Sequence, residues 1–160
     1  MRITFEEASR VLAYNSETGE LRWLVGGSGK RAGDIAGTPH NKGYWAIEVA
    51  GFGYLAHRLA WLLVHGVWPA GQIDHINGDR RDNRLANLRE VTNAQNAQNK
   101  RKARSDNVSG LMGVRRMGGK WQARIMTNGK STCIGVFETA EAASLAYINT
   151  KRATHEMGTI

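Results

Sequence analysis

One stretch constrains this chain more than any other: Ile73-Asp74-His75-Ile76-Asn77-Gly78-Asp79, then Asp82-Asn83-Arg84, then Asn87-Leu88-Arg89, then Asn96. Residues 79–83 are charged and rich in turn formers, so they read as an exposed loop. The apolar positions on either side read as two short strands, one ending near His75 and one at residues 88–91. Thr92 fits an N-cap. Residues 93–101 fit a helix with Asn96 one turn inside it. The order is therefore strand, loop, strand, helix. An adjacent carboxylate and imidazole precede two carboxamides, at separations of twelve and nine residues. A carboxylate and a carboxamide oxygen suit a hard divalent cation. An imidazole beside them takes a proton from water near neutral pH. Those are the parts of a metal-dependent phosphodiesterase.

The charge of the chain names a class of partner. Its 160 residues carry a formal net charge of +8, which favours a polyanion, most often nucleic acid. Residues 1–70 hold seven basic against six acidic side chains, a net of +1. Residues 71–106 reach +3 and residues 107–160 reach +4. The excess lies with and beyond the candidate site. The single cysteine, Cys133, excludes an intramolecular disulfide and a cysteine zinc site. The N-terminus lacks the apolar run of a signal peptide. The longest apolar stretch, residues 59–64, is too short to span a membrane. A soluble, cytoplasmic protein with no membrane partner is expected.

Two further segments flank the site. In residues 1–70, Thr4 followed by Glu7 reads as a capping box that starts a helix running to about Ala13. A strand at residues 21–24 follows, then a glycine-rich loop to Gly37. Residues 44–55 read as a β-hairpin turning through Gly51-Phe52-Gly53. An apolar helix over residues 57–65 closes at Gly66, and Trp61, Leu62, Leu63 and Trp68 read as core. His40, His65 and His155 read as structural or surface residues, and His57 at the helix start as packed. Residues 100–107 are a basic, polar linker suited to contact with a phosphate backbone. From Val108 the pattern is three strands and a helix. They are residues 112–116, 121–126 and 131–137, with an Asn128-Gly129 turn before the last, and a helix capped by Thr139. Ala142, Leu145, Ala146 and Asn149 recur at helical spacing and should cover the sheet, while Ala123 and Ile125 should face the helix.

The Asp74-His75, Asn87 and Asn96 pattern resembles the HNH nuclease family, closest to phage and intron-associated homing endonucleases whose last motif residue is Asn. Ala56-His57-Arg58-Leu59-Ala60-Trp61 resembles what precedes the motif in that group. Residues 110–150 resemble an AP2 DNA-binding domain through Gly113-Val114-Arg115, Trp121-Gln122-Ala123-Arg124-Ile125, residues 135–143 and Ala146-Tyr147. An HNH core followed by an AP2 module is an arrangement seen in bacteriophage proteins.

The resemblance implies an α+β chain. A ββα-metal core in residues 71–104 would join an N-terminal hairpin and helix segment in residues 1–70, making an HNH endonuclease domain of residues 1–104. A linker and a small AP2-like domain of three strands and a helix would fill residues 105–160. It implies His75 as the general base, Asn87 bridging the loop and holding His75 in orientation, and Asp74 with Asn96 as metal ligands. Other members carry His at the last position. An amide there points to Mg2+, with Mn2+ or another transition metal as alternatives. The expected partner is double-stranded DNA, cleaved to a 5′-phosphate and a 3′-hydroxyl by a monomer that nicks. DNA contacts are expected from Arg80, Arg81, Arg84, Lys100, Arg101, Lys102, Arg115, Arg116, Trp121, Arg124 and Lys130, those of the sheet as a β-reader of the major groove. Met112, Met117 and Cys133 stand where plant AP2 domains often carry Arg or Trp, so a plant-type target is not carried over. The competing class is a catalytically silent AP2-type DNA-binding regulator.

Overall fold

The structure, a computed structural model, describes residues 2–27, 29–98, 103, 107–127 and 129–154. They form an α+β chain of two compact units, Met1–Thr92 and Asn93–Ile160.

The first unit opens on α1 (Phe5–Val11), and its capping box is formed. The Glu7 amide donates to Thr4 Oγ1 at 3.2 Å and the Thr4 amide donates to Glu7 Oε2 at 2.8 Å. The helix ends at Val11, two residues before the sequence expectation, because Leu12 turns extended and begins β1 (Leu12–Tyr14). β1 pairs antiparallel with β2 (Leu21–Trp23) across a turn at residues 15–20. A three-stranded antiparallel sheet follows in the order β3 (Thr38–Pro39), β4 (Trp45–Val49), β5 (Phe52–Leu55). Its β4–β5 turn lies at Ala50 and Gly51, with φ of 52° and 79°, rather than at residues 51–53. Two consecutive positive-φ residues match the right-handed twist of the strands they join.

α2 (Ala56–His65) buries Ala56, His57, Leu59, Ala60 and Leu62, and Gly66 caps it in the left-handed region. Ala56, Leu59, Ala60 and Leu62 join Leu12, Leu21, Ile47 and Leu88 in one core. Each fully buried Leu or Ile there contributes about 1.5–3 kcal/mol by leaving water. Trp61, Leu63 and Trp68 pack partly buried against this core. β6 (Gln72–His75) and β7 (Leu88–Val91) form an antiparallel pair in which Asp74 faces Arg89 and His75 faces Leu88. Ile73, Leu88 and Val91 bury one side of that ribbon. It therefore projects its connecting loop from a fixed base.

The second unit contains α3 (Asn93–Gln98), then an antiparallel sheet in the order β8 (Val114–Met117), β9 (Lys120–Thr127), β10 (Lys130–Phe137), then α4 (Ala140–Thr154). Thr139 Oγ1 accepts the Ala142 amide at 3.2 Å, as a cap should. Ala123 and Ile125 are buried towards the helix, as their alternation predicts. The face of α4 differs from expectation. Ala143 and Tyr147 are buried, whereas Ala142, Leu145 and Asn149 are exposed. Tyr147 decides this: its ring lies where a side chain on Gly113 would stand, and a Cβ there would come within 2.0 Å of Tyr147 Cδ2. Gly113 also sits at φ +69°, in the left-handed region. Gly113→Ala should cost about 2–4 kcal/mol through strain and overpacking together, read as a lowered midpoint of thermal unfolding. Among the described residues no helix is long and apolar enough to cross a membrane.

Candidate active site

The loop between β6 and β7 is held by side chains bonding to its own backbone. Asn77 Oδ1 accepts the Asp79 amide at 2.8 Å, and Asp79 Oδ1 accepts the Arg81 amide at 2.9 Å. Asn77 Nδ2 donates to Asp82 Oδ2 at 2.7 Å. Short Asn and Asp side chains favour such turns, which is why this composition gives an ordered loop. Asn87, 7% exposed, closes it. Its Oδ1 accepts the Asn77 amide at 2.9 Å, its Nδ2 donates to the Asp82 carbonyl at 2.7 Å, and its own carbonyl accepts the Ile76 amide at 2.8 Å. The expected bridge across the loop is thus made, and it fixes the backbone directly after His75.

His75 ends β6 and is 5% exposed. The carboxamide against its ring is that of Asn83, whose Oδ1 lies 3.3 Å from His75 Nε2. Sequence reasoning assigned Asn83 to loop structure. The ring of His57, at the start of α2, meets His75 edge-on at a centroid distance of 5.0 Å. Tyr44 lies 5.2 Å from His57 and 6.1 Å from His75. Arg80 stacks over Tyr44 at 4.9 Å and donates to the Lys42 carbonyl at 2.6 Å. Sequence distance hides this cluster, because Tyr44 directly precedes β4, His57 lies on α2 and His75 ends β6. The clue to His57 in the sequence is its place in Ala56-His57-Arg58-Leu59-Ala60-Trp61.

Burial sets the electrostatics. It pushes the His75 pKa down, opposed by the Asn83 hydrogen bond and the carboxylates of Asp74, Asp79 and Asp82. His75 is therefore neutral near pH 7 and able to accept a proton. Burial, with the charges of His75 and Arg58, holds His57 down at about 3. The Nδ1 of His57 is buried and has no hydrogen-bond partner among the described residues.

Asp74 precedes His75 on β6, so its side chain points to the other face of the ribbon. Its Oδ2 accepts from Arg89 Nε at 3.0 Å and Nη2 at 2.8 Å. This cross-strand pair fixes the plane of the carboxylate, which stays 16% exposed. Asn96 lies on α3, in the second unit, and is half-buried. Among the described residues no group of three or more His, Cys, Asp or Glu side chains forms a metal site.

The expected DNA contacts fall in different settings. Arg80, Arg81 and Arg84 are exposed on the loop. Arg84 is engaged with Asp82 through Nε to Oδ1 at 2.8 Å and Nη2 to Oδ2 at 2.6 Å, which holds the Asp82 carboxyl down at about 2. Arg115 and Arg116 are exposed on β8, and Lys130 is exposed at the start of β10. Arg115 Nε donates to Gln122 Oε1 at 2.8 Å. Arg124 is half-buried, its Nη2 donating to the Ser131 carbonyl at 3.3 Å. Trp121 packs partly buried against the second core. Lys100, Arg101 and Lys102 lie outside the described residues, as does His155.

Comparison with known proteins bears on residues 54–98. No curated protein matches the chain. A solved structure described as "DNA binding and cleavage by the HNH homing endonuclease I-HmuI" is similar over 56% of this chain, at 23% identity and a TM-score of 0.41. The similarity spans 51% of that protein, about half its length. The family model described as HNH endonuclease matches residues 54–98, the segment holding α2, β6, the loop and β7. That segment, with His57, His75, Asn83 and Asn87 buried inside it, is the part of the chain that is similar to HNH endonucleases.

Proposed function

We propose that the chain is a metal-dependent DNA endonuclease of the HNH homing type, acting as a monomer that nicks double-stranded DNA. The observation that carries this reading is a His75 that is buried and neutral in the segment matched as an HNH endonuclease. His75 takes a proton from water as that water's oxygen bonds to phosphorus. The bond from phosphorus to the 3′ oxygen breaks, leaving a 5′-phosphate and, once the leaving oxygen is protonated, a 3′-hydroxyl. Asn87 keeps the loop closed behind His75 through its three hydrogen bonds.

Asp74 and Asn96 are the residues that would hold a divalent cation. Their donor set fits Mg2+, which takes oxygen ligands and commonly keeps one or two protein ligands with waters and substrate phosphate. When bound, such an ion supplies charge stabilisation for the crowded phosphate and the leaving oxygen. Mn2+ or another transition metal is the alternative. The second unit, with Arg115, Arg116, Arg124 and Lys130 on its sheet, serves as an AP2-like DNA-binding module. Arg80, Arg81 and Arg84 add contacts from the loop, and Lys100, Arg101 and Lys102 from the linker.

Supercoiled plasmid incubated with the purified protein and Mg2+ should relax to the nicked circle, and excess chelator should abolish the conversion. A protein that shifts the plasmid in a gel but never relaxes it with any divalent cation would instead be a catalytically silent DNA-binding regulator.

A further inference from the structure

A histidine that accepts a proton must keep the other ring nitrogen protonated, and something must choose which is which. Two buried side chains make that choice here. Asn83 and His75 are each 5% exposed, and Asn83 Oδ1 lies 3.3 Å from His75 Nε2. The Asn83 amide is oriented by its own second bond, since Nδ2 donates to the Arg81 carbonyl at 3.3 Å. Turning the amide over would set Oδ1 against that carbonyl, acceptor against acceptor. With Oδ1 towards His75, the ring can satisfy it only by donating from Nε2.

The backbone carrying Asn83 is itself braced by the N-terminal hairpin. Tyr14 Oη donates to the Asn83 carbonyl at 2.7 Å, and the Leu85 amide donates to the Ser16 carbonyl at 3.2 Å. Gly19, at φ +77°, lies so close that a Cβ would stand 2.5 Å from the Arg84 nitrogen and 2.7 Å from the Asn83 carbonyl carbon. Residues 14–19 thus hold residues 83–85 from a point about seventy positions away in sequence.

We propose that Asn83 is a positioning residue that fixes His75 as the Nε2–H tautomer, leaving the Nδ1 lone pair to take the proton, and that the turn after β1 holds Asn83 in place. This inference rests on the nuclease reading of His75 and adds to it the side chain that orients the ring. It gives the N-terminal hairpin a part in the chemistry that its sequence does not announce.

The test is a long-range 15N–1H NMR correlation on the full-length protein at about pH 8, where the imidazole is neutral. The His75 signals should show a protonated Nε2 and an unprotonated Nδ1. Asn83→Leu should release the ring to a mixture of tautomers and lower kcat for plasmid nicking by about 10–100-fold, with KM within about twofold. Asn83→Asp retains the acceptor and should restore the Nε2–H form. Tyr14→Phe, a milder change that leaves Asn83 in place, should shift the tautomers part of the way. A wild-type His75 protonated at Nδ1 would overturn the proposal, as would a folded Asn83→Leu that turns over at the wild-type rate. If the wild-type tautomer is as stated but the protein cleaves nothing with any divalent cation, the ring placement stands and the nuclease reading falls.

Discussion

His75→Ala should lower the nicking rate by about 10²–10⁴-fold, the range supplied by a positioned general base, while binding to the same DNA stays within a few-fold of wild type. The separation follows from where His75 sits. It is buried at the end of β6 and in contact with Asn83 and His57, whereas the cations expected on phosphate lie on the exposed loop and on the sheet of the second unit. Plasmid relaxation gives the first quantity and a gel shift in chelator the second. Full activity in His75→Ala would remove the general-base assignment. A parallel loss of binding would show that the substitution had disturbed the loop, which Asn77, Asp82 and Asn87 should otherwise hold.

The second large effect concerns acid stability. Folded His57 takes up its proton only near pH 3, whereas an unfolded histidine does so near pH 6.5. Between those values the unfolded chain binds the extra proton. Stability from this residue is therefore intact above about pH 6.5 and falls as pH drops, by about 1.4 kcal/mol per unit, levelling off below about 3. His75, whose pKa is also lowered by burial, adds loss in the same direction. His57→Phe keeps a ring of similar size and removes the titration. Relative to wild type it should gain roughly 2.5 kcal/mol between pH 7 and pH 4.5, measured by urea unfolding at each pH. Parallel pH profiles for the two proteins would mean that His57 is not held neutral in the fold.

Much of this architecture is legible in the sequence, and the departures have physical causes. The capping box at Thr4 and Glu7, the β6–loop–β7 ribbon and the bridging role of Asn87 depend on local chemistry, where a side chain bonds to backbone a few residues away. Such patterns survive in one dimension. The face of α4 did not, because two stripes on that helix share the same period. Leu145, 60% exposed, belongs to the stripe that lost. Tyr147 won because Gly113, more than thirty residues earlier, leaves space for its ring.

The same limit governs the candidate site. Asp74, His75 and Asn87 stand out by type and spacing. Asn83 does not, since its contact with His75 depends on how the Asn77–Asp82 network folds the loop back. Tyr44 and His57 were legible only as a hairpin residue and a helix residue. Packing of β4, α2 and β6 on one core brings their rings to His75.

The central claim is that this chain hydrolyses a DNA phosphodiester at the His75 centre with release of the 3′ oxygen. The chemistry of the ends tests it most directly. Plasmid nicked by the protein in Mg2+ should be resealed by DNA ligase with no prior kinase or phosphatase treatment, because a 5′-phosphate and a 3′-hydroxyl are left at the break. Nicks that ligase closes only after the ends have been rebuilt would place the cleaved bond on the other side of phosphorus and contradict the account.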